Sequence, residues 1–366
     1  MTAENPAAEL ELRDVRKAYN GYLALDRCSL NLSKGEVVAL LGPSGCGKST
    51  LLNLIAGFEQ PDFGNVVLRG QVIDGVPPHR RNVAMVFQNY ALFPHMTVAD
   101  NIAYGLKARR MPKAEWRDRV ARTIGLLKLT GLEARYPAQL SGGQRQRVAV
   151  ARAIVIDPDI LLLDEAFSAL DRNLRDQTQL ELSLLLRRLS ITTVIVTHDQ
   201  QEAFALADRI AVMRDGRIAQ IGRPQEVYRE PSDSYVLRFL GRANSLPGAV
   251  DPHGGGRIVR IGGGISFPPD PAVAPSPDGA VWVHLRTEDI TLSSVPTAVH
   301  QEMPARVVLA TSLGSQQRIV LRLDDIQIVL EMPSSSIQNW DCLRIDSEVY
   351  VEFDPRACII DKRESH

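Results

Sequence analysis

The chain has 366 residues, 45% hydrophobic and 23% charged, an ordinary balance for a soluble globular protein and a length that suits two domains with filled cores. Its net charge of −1 gives the whole chain no polyanion-binding character, but residues 244–366 carry 10 Lys/Arg against 16 Asp/Glu, which leaves residues 1–243 with 32 against 27. The polar N-terminus has no secretory-leader pattern, and the most apolar run, Val148 to Leu163, is broken by Arg152, Asp157 and Asp159 before it reaches bilayer length, so any membrane role is expected to come through a partner.

Leu10, Leu12, Leu23 and Leu25 alternate with polar residues and predict antiparallel strands. Glu36 to Leu41 is a short continuous apolar strand that runs directly into a glycine-rich loop, Gly42, Pro43, Ser44, Gly45, Cys46, Gly47, Lys48, Ser49 and Thr50. A helix then runs to Gly57. Strand, loop and helix in this order form the setting of a phosphate-binding loop. Its backbone N–H groups point inward at phosphate oxygens, Lys48 reaches the β- and γ-phosphates of a bound ATP, and the Ser49 hydroxyl is a ligand for Mg2+. Cys46, at a helix N-terminus, is expected to be a reactive thiol that bound ATP protects. The other cysteines, Cys28, Cys342 and Cys358, have no metal or redox spacing and are expected to be inert.

Pro112 to Leu132 has a helical stripe of Trp116, Val120, Ile124 and Leu127. A second helix opens at the turn Ser141, Gly142, Gly143, which is itself an anion site at a helix start. Asp164 ends the apolar strand DILLLDE, where its carboxylate is placed to hold the hydration shell of Mg2+; the adjacent Glu165 is placed to orient or deprotonate an attacking water. Leu174 to Leu189 predicts a helix and TTVIVTH a further buried strand. Alternation of this kind implies a parallel core sheet covered by helices. After Gly241 the chain becomes rich in Gly and Pro, and short alternating strands such as VWVHL, RIVLRL and EVYVEF predict a small β-barrel or sandwich.

With LSGGQ at Leu140–Gln144 followed by RQRVAVARA, residues 10–240 resemble the ATP-binding cassette family, and within it the nucleotide-binding subunits of bacterial importers. The resemblance implies an α/β P-loop NTPase cassette at 1–241, with a parallel core sheet, an antiparallel β subdomain and a helical subdomain at about 89–155. It also implies an all-β OB-like regulatory or dimerisation domain at 242–366, where LRTEDITL is similar to that domain's usual Arg-Pro-Glu-Asp core with Thr287 in place of proline.

Residue roles follow from the match. Ser141, Gly142, Gly143 and Gln144 cover the γ-phosphate bound by a second copy of the chain, so that two ATP molecules are sandwiched head to tail. Tyr19 stacks on adenine, with Tyr22 as the nearest rival. Gln88 touches Mg2+ and the water, and its loop docks the transmembrane permease subunits. His198 contacts the γ-phosphate, and Asp171 links the two sites across the dimer. Ala166 stands where such importer subunits commonly have proline.

The resemblance further implies a peripheral ATPase at the cytoplasmic face of the bacterial inner membrane, coupled indirectly to a periplasmic solute-binding protein. The cargo is expected to be a polyamine, with ferric ion or another anion or sugar as the alternative and a non-transport cassette switch as the rival class. No nucleic-acid partner is expected, because the acidic tail lacks a cationic groove with stacking aromatics.

Overall fold

In the computed structural model the N-terminal alternation becomes a hairpin. β1 (Leu10–Tyr19) and β2 (Tyr22–Leu32) pair antiparallel across Asn20–Gly21, both at positive φ, as a two-residue hairpin turn requires. The structure describes residues 8–167, 172–253, 256–261, 266–267, 279–295, 303–337 and 343–362. By packing they form two units, Met1–Arg229 and Glu230–His366, a division one short helix earlier than the sequence boundary at 241/242.

In the first unit β3 (Val37–Leu41), α1 (Lys48–Ala56), β4 (Phe63–Leu68), β5 (Gln71–Val72) and β6 (Val83–Val86) follow the hairpin. Then come α2 (Val98–Ala108), α3 (Lys113–Leu126), α4 (Gly142–Ile154), β7 (Ile160–Asp164), α5 (Arg172–Leu189) and β8 (Thr192–Thr197). The unit closes with α6 (Gln200–Leu206), β9 (Arg209–Arg214), β10 (Arg217–Gly222) and α7 (Pro224–Arg229). One sheet has the order β2-β1-β4-β5; the other has the order β10-β9-β3-β8-β7-β6 and is parallel except at β10. Every residue of β3 and β8 is buried, as expected for central strands covered on both faces.

Helix α1 is held at its far end by a buried arginine. The Arg81 guanidinium donates to the carbonyls of Leu54 and Ile55 in the last turn and to those of Ile73 and Asp74. It thereby satisfies acceptors that a helix end leaves open. Gly57 ends the helix at φ 84, and a Cβ there would lie 2.5 Å from Arg81 Nε. The helix expected over Pro112–Leu132 is shorter: α3 stops at Leu126, because Lys128 takes φ 54 and turns the chain.

The second unit contains α8 (Ser234–Leu240), β11 (Ala243–His253), β12 (Gly256–Ile261), β13 (Ser266–Phe267), β14 (Ala280–Arg286) and β15 (Ile290–Ser293). It continues with β16 (Met303–Ser312), β17 (Gln316–Leu323), β18 (Ile326–Pro333), β19 (Glu348–Phe353) and β20 (Ile359–Lys362). Two antiparallel sheets, β13-β12-β11-β14-β20 and β15-β19-β16-β17-β18, share one barrel-like core of Val, Leu and Ile side chains. Asn244 pins one sheet to the other with paired bonds to the backbone of Val329. Among the described residues no helix is long and apolar enough to cross a membrane.

Candidate functional site

The phosphate loop joins β3 to α1. Gly45 and Gly47 sit at φ 82 and 105, and a Cβ on Gly47 would lie 2.5 Å from the carbonyl oxygen of Ala24, so only glycine permits this curl. Lys48 is buried, and its ammonium donates to the carbonyls of Gly42 and Pro43 at 2.6 and 2.8 Å, which holds the charge over the loop. Ser49 and Thr50 follow in the first turn of α1, and Pro43, Ser44 and Gly45 form the exposed rim.

Cys46 differs from the sequence expectation. Its side chain is only 4% exposed and packs into the core under the loop, with Sγ 3.7 Å from Lys48 Nζ. A reagent in solvent therefore does not meet the accessible thiol that the position suggested. Burial pushes the Cys28 and Cys358 thiols up to about 12, and Cys342 lies outside the described residues.

The ends of the parallel strands bring three distant residues together. Glu165 follows β7 and is held in a left-handed conformation, φ 45, while its N–H donates to the carbonyl of Val196 in β8. A non-glycine residue in that region is strained, and such strain collects where function fixes the backbone. One carboxylate oxygen accepts from the Gln88 amide at 2.8 Å; the other lies 3.2 Å from His198 Nδ1. Asp164, beside it, is raised above the usual carboxylate range, first by burial and then by the Glu165 charge, with Lys48 opposing both.

This donor set fits Mg2+. A serine hydroxyl, an amide and carboxylates are hard oxygen donors, and a Mg2+ site uses one or two carboxylates plus substrate phosphates rather than a full protein cage. Among the described residues no group of three or more His, Cys, Asp and Glu side chains is arranged to hold a metal ion by itself.

Ser141 caps α4 in a reciprocal box, its hydroxyl accepting from Gln144 N–H and its own N–H donating to Gln144 Oε1 at 2.9 Å. This fixes the Gly142–Gly143 turn. Among the described residues no hydrogen bond or ion pair joins residues 141–144 to the phosphate loop. Asp171 lies outside the described residues.

The two tyrosines face each other across the hairpin end. Tyr19 is 37% exposed and donates to Glu59, whereas Tyr22 is 62% exposed and reaches the carbonyl of Gly45 in the phosphate loop at 3.3 Å. The loop after Gln88 is less open than its composition suggested. Leu92 and Phe93 are half-buried, Phe93 lies against Tyr104 at 4.5 Å, and buried Asn101 bonds both backbone groups of Phe93.

Sequence reasoning missed Glu202. It is 97% buried in the first turn of α6, accepts from the Thr197 hydroxyl at 2.6 Å, and is pushed up to about 7, chiefly by burial. The Thr197 hydroxyl also accepts from Asp199 N–H, and Asp199 pairs with Arg175 at 3.2 Å, so the segment carrying His198 is tied on both sides. The only signal in the sequence is an acidic residue three positions past Asp199, a pattern common at helix starts.

A family model described as "ABC transporter" matches residues 25–168, and one described as "TOBE domain" matches 283–360. The spermidine/putrescine import ATP-binding protein PotA of Nitratidesulfovibrio vulgaris is 47% identical over 86% of this chain and 87% of its own. A sulfate/thiosulfate import ATP-binding protein of Chromobacterium violaceum is 46% identical over 86% of this chain and 84% of its own. Among solved structures, the dimeric post-hydrolysis state of the ATP-binding cassette MJ0796 bound to ADP and Pi superposes with TM-score 0.53 at 31% identity, over 59% of this chain and 98% of that one. With a phosphate loop, a strand-end acid pair and relatives matched over most of their length, the chain belongs to the ABC transporter family, as one of its ATP-hydrolysing import proteins.

Proposed function

We propose that this ATPase powers polyamine uptake through transmembrane permease subunits, working as a head-to-tail pair of copies at the cytoplasmic face of the bacterial inner membrane. The observation that carries the catalytic assignment is the convergence of Gln88 and His198 on the two oxygens of Glu165, next to Asp164 at the strand ends. Glu165 takes the proton of the attacking water, and Gln88 and His198 hold its carboxylate in line. Lys48 and the loop amides from Gly42 to Thr50 bind the phosphates and oppose the charge that develops during transfer. Ser49, Gln88 and Asp164 would hold Mg2+, which would supply positive charge to the β- and γ-phosphates. Tyr19 stacks on the adenine, with Tyr22 beside it.

Two observations support the paired arrangement. The Ser141–Gln144 corner is a second built anion site without a bond to its own phosphate loop, and the cassette it resembles is a dimer. Closure around two nucleotides adds contacts that exist only in the closed state, and loss of the γ-phosphate removes them. Asp171 connects the two sites. The loop around Phe93, braced by Asn101, is the seat for a permease helix. The acidic tail serves as a dimerisation or regulatory module, and a periplasmic solute-binding protein delivers the cargo on the other side of the membrane.

Polyamine is the first reading because the relative from N. vulgaris is named for spermidine and putrescine. The sulfate/thiosulfate relative is nearly as similar, which supports sulfate as the second reading. Labelled spermidine, putrescine and sulfate uptake is measured in cells lacking the gene and in cells given back the wild type or Glu165→Gln. Restoration of spermidine or putrescine uptake by the wild type alone is expected. Restoration of sulfate uptake alone replaces the first reading by the second, and equal uptake in all strains removes the transport assignment.

A further inference from the structure

Between α3, α4 and α5 lies a cavity of about 210 Å3 that no part of the reaction above uses. Its walls are largely apolar, built by Leu127, Val150, Leu182 and Leu185, and Leu184, 62% exposed, stands at the mouth. An apolar cavity of about 150 Å3 suffices for benzene, so this one takes a body of about eight to ten carbons.

Two polar features make the site more than a greasy gap. Gln146 lines the cavity from α4, is 99% buried, and among the described residues neither its amide nitrogen nor its carbonyl oxygen has a hydrogen-bond partner. Native interiors rarely leave a carboxamide in that condition, because desolvation without a bond is costly. The rim is cationic: Lys128, Arg147 and Arg188 surround it, against the single carboxylate of Glu181, which is already engaged with Lys128 at 3.0 Å and Arg147 at 2.9 Å.

We propose that this cavity binds a small amphipathic monoanion, a medium-chain or arylalkyl carboxylate. Its apolar body fills the space between α4 and α5, and its carboxylate meets the Arg188 side of the rim. Gln146 supplies the polar contact at depth, its N–H donating to an ether or carbonyl oxygen of the ligand. Because α4 begins at the Ser141 corner, an occupant that fixes α4 against α5 also fixes that corner, and the ATPase rate changes. This coupling rests on the reading given under Proposed function; the binding does not.

The test titrates the full chain with 4-phenoxybutyrate, whose ether oxygen can accept from Gln146, by calorimetry, with 4-phenoxy-1-butanol as the uncharged comparison. One saturable site is expected, with the alcohol weaker by about tenfold, the change that loss of one rim charge contact brings. Arg188→Glu and Leu184→Glu, both at exposed positions, should weaken 4-phenoxybutyrate by about tenfold or more while melting temperature and ligand-free ATPase rate stay at the wild-type values. Gln146→Leu should also bind more weakly without melting earlier, since it removes a buried unpaired amide. Absence of saturable binding at millimolar ligand, or equal affinity in all three variants, overturns the site. Saturable binding with an unchanged ATPase rate overturns the coupling and keeps the site. An inactive protein that still binds counts against the ATPase reading alone.

Discussion

Glu165 and Glu202 are carboxylates a short distance apart with opposite circumstances. Glu165 is partly exposed and has donors on both oxygens, whereas Glu202 is buried with one oxygen on Thr197 and the other, Oε1, unpartnered. Glu165→Gln removes the proton acceptor while keeping the shape. It should bind nucleotide like the wild type, turn over roughly 100-fold or more slowly, and accumulate as an ATP-bound dimer on a sizing column. Wild-type turnover in that variant would unseat Glu165 as the base.

For Glu202 the prediction concerns pH. Its folded value, about 7, lies above its ordinary 4.5, so the folded chain holds this proton more tightly than the unfolded one. The corresponding stability is complete below about pH 4.5 and is lost as pH rises through about 7, at most roughly 3 kcal/mol. Glu202→Gln carries a fixed neutral amide and should flatten that part of the stability profile. Denaturant midpoints between pH 5 and pH 8 measure this; parallel curves for the two proteins would show that Glu202 does not titrate there.

At the scale of elements, Arg81 links the end of α1 to the loop after β5. Arg81→Met keeps much of the volume and leaves the carbonyls of Leu54 and Ile55 without their side-chain donor, while Ile73 keeps the Val76 N–H. A loss of about 3 kcal/mol is expected in urea unfolding, with nucleotide affinity falling too because the loop helix loosens. An unchanged unfolding midpoint would mean that water replaces the guanidinium fully.

The elements also show what could be read in advance. β3, the phosphate loop and α1 were legible because their chemistry is local: a buried strand, glycines at the forced turns, and a helix stop at Gly57. α2 was not. Its buried face includes Asn101, which knits the Phe93 loop, and its Gly105 leaves room for Ile156, whose Cγ2 would lie 2.8 Å from a Cβ. Both residues weaken the apolar stripe that marks a helix in sequence. Gln88 and His198 carry no local mark; the resemblance named them for roles toward Mg2+, water and the γ-phosphate, and their pairing with Glu165 appears only in the structure. The arginine at position 81 and the glutamate at 202 were invisible for the same reason, since a buried charge is defined by partners distant in the chain.

For the molecule as a whole, the proposed sharing of the Ser141 corner between two copies would make activity a property of pairs. Specific ATPase activity should rise with protein concentration in the dilute range and level off once dimers dominate. Strict proportionality at every dilution, by a phosphate-release assay, would require a site complete within one chain. The two units differ in how much sequence revealed about them. In the first, motifs named the chemistry. In the second, alternation named the strands of a barrel-like core but no ligand, because inward-facing Val, Leu and Ile report only that a sheet has an inside.

The sulfur beneath the phosphate loop has a bearing on survival under peroxide. A thiol in the very turn that grips nucleotide would be a fuse if oxidants reached it, silencing transport whenever the environment became harsh. Folded inward against Gly42 and the Lys48 ammonium, Cys46 is screened by the structure it helps to build. Oxidants in solvent therefore find little of this sulfur to attack, and what shields it is packing rather than chemistry.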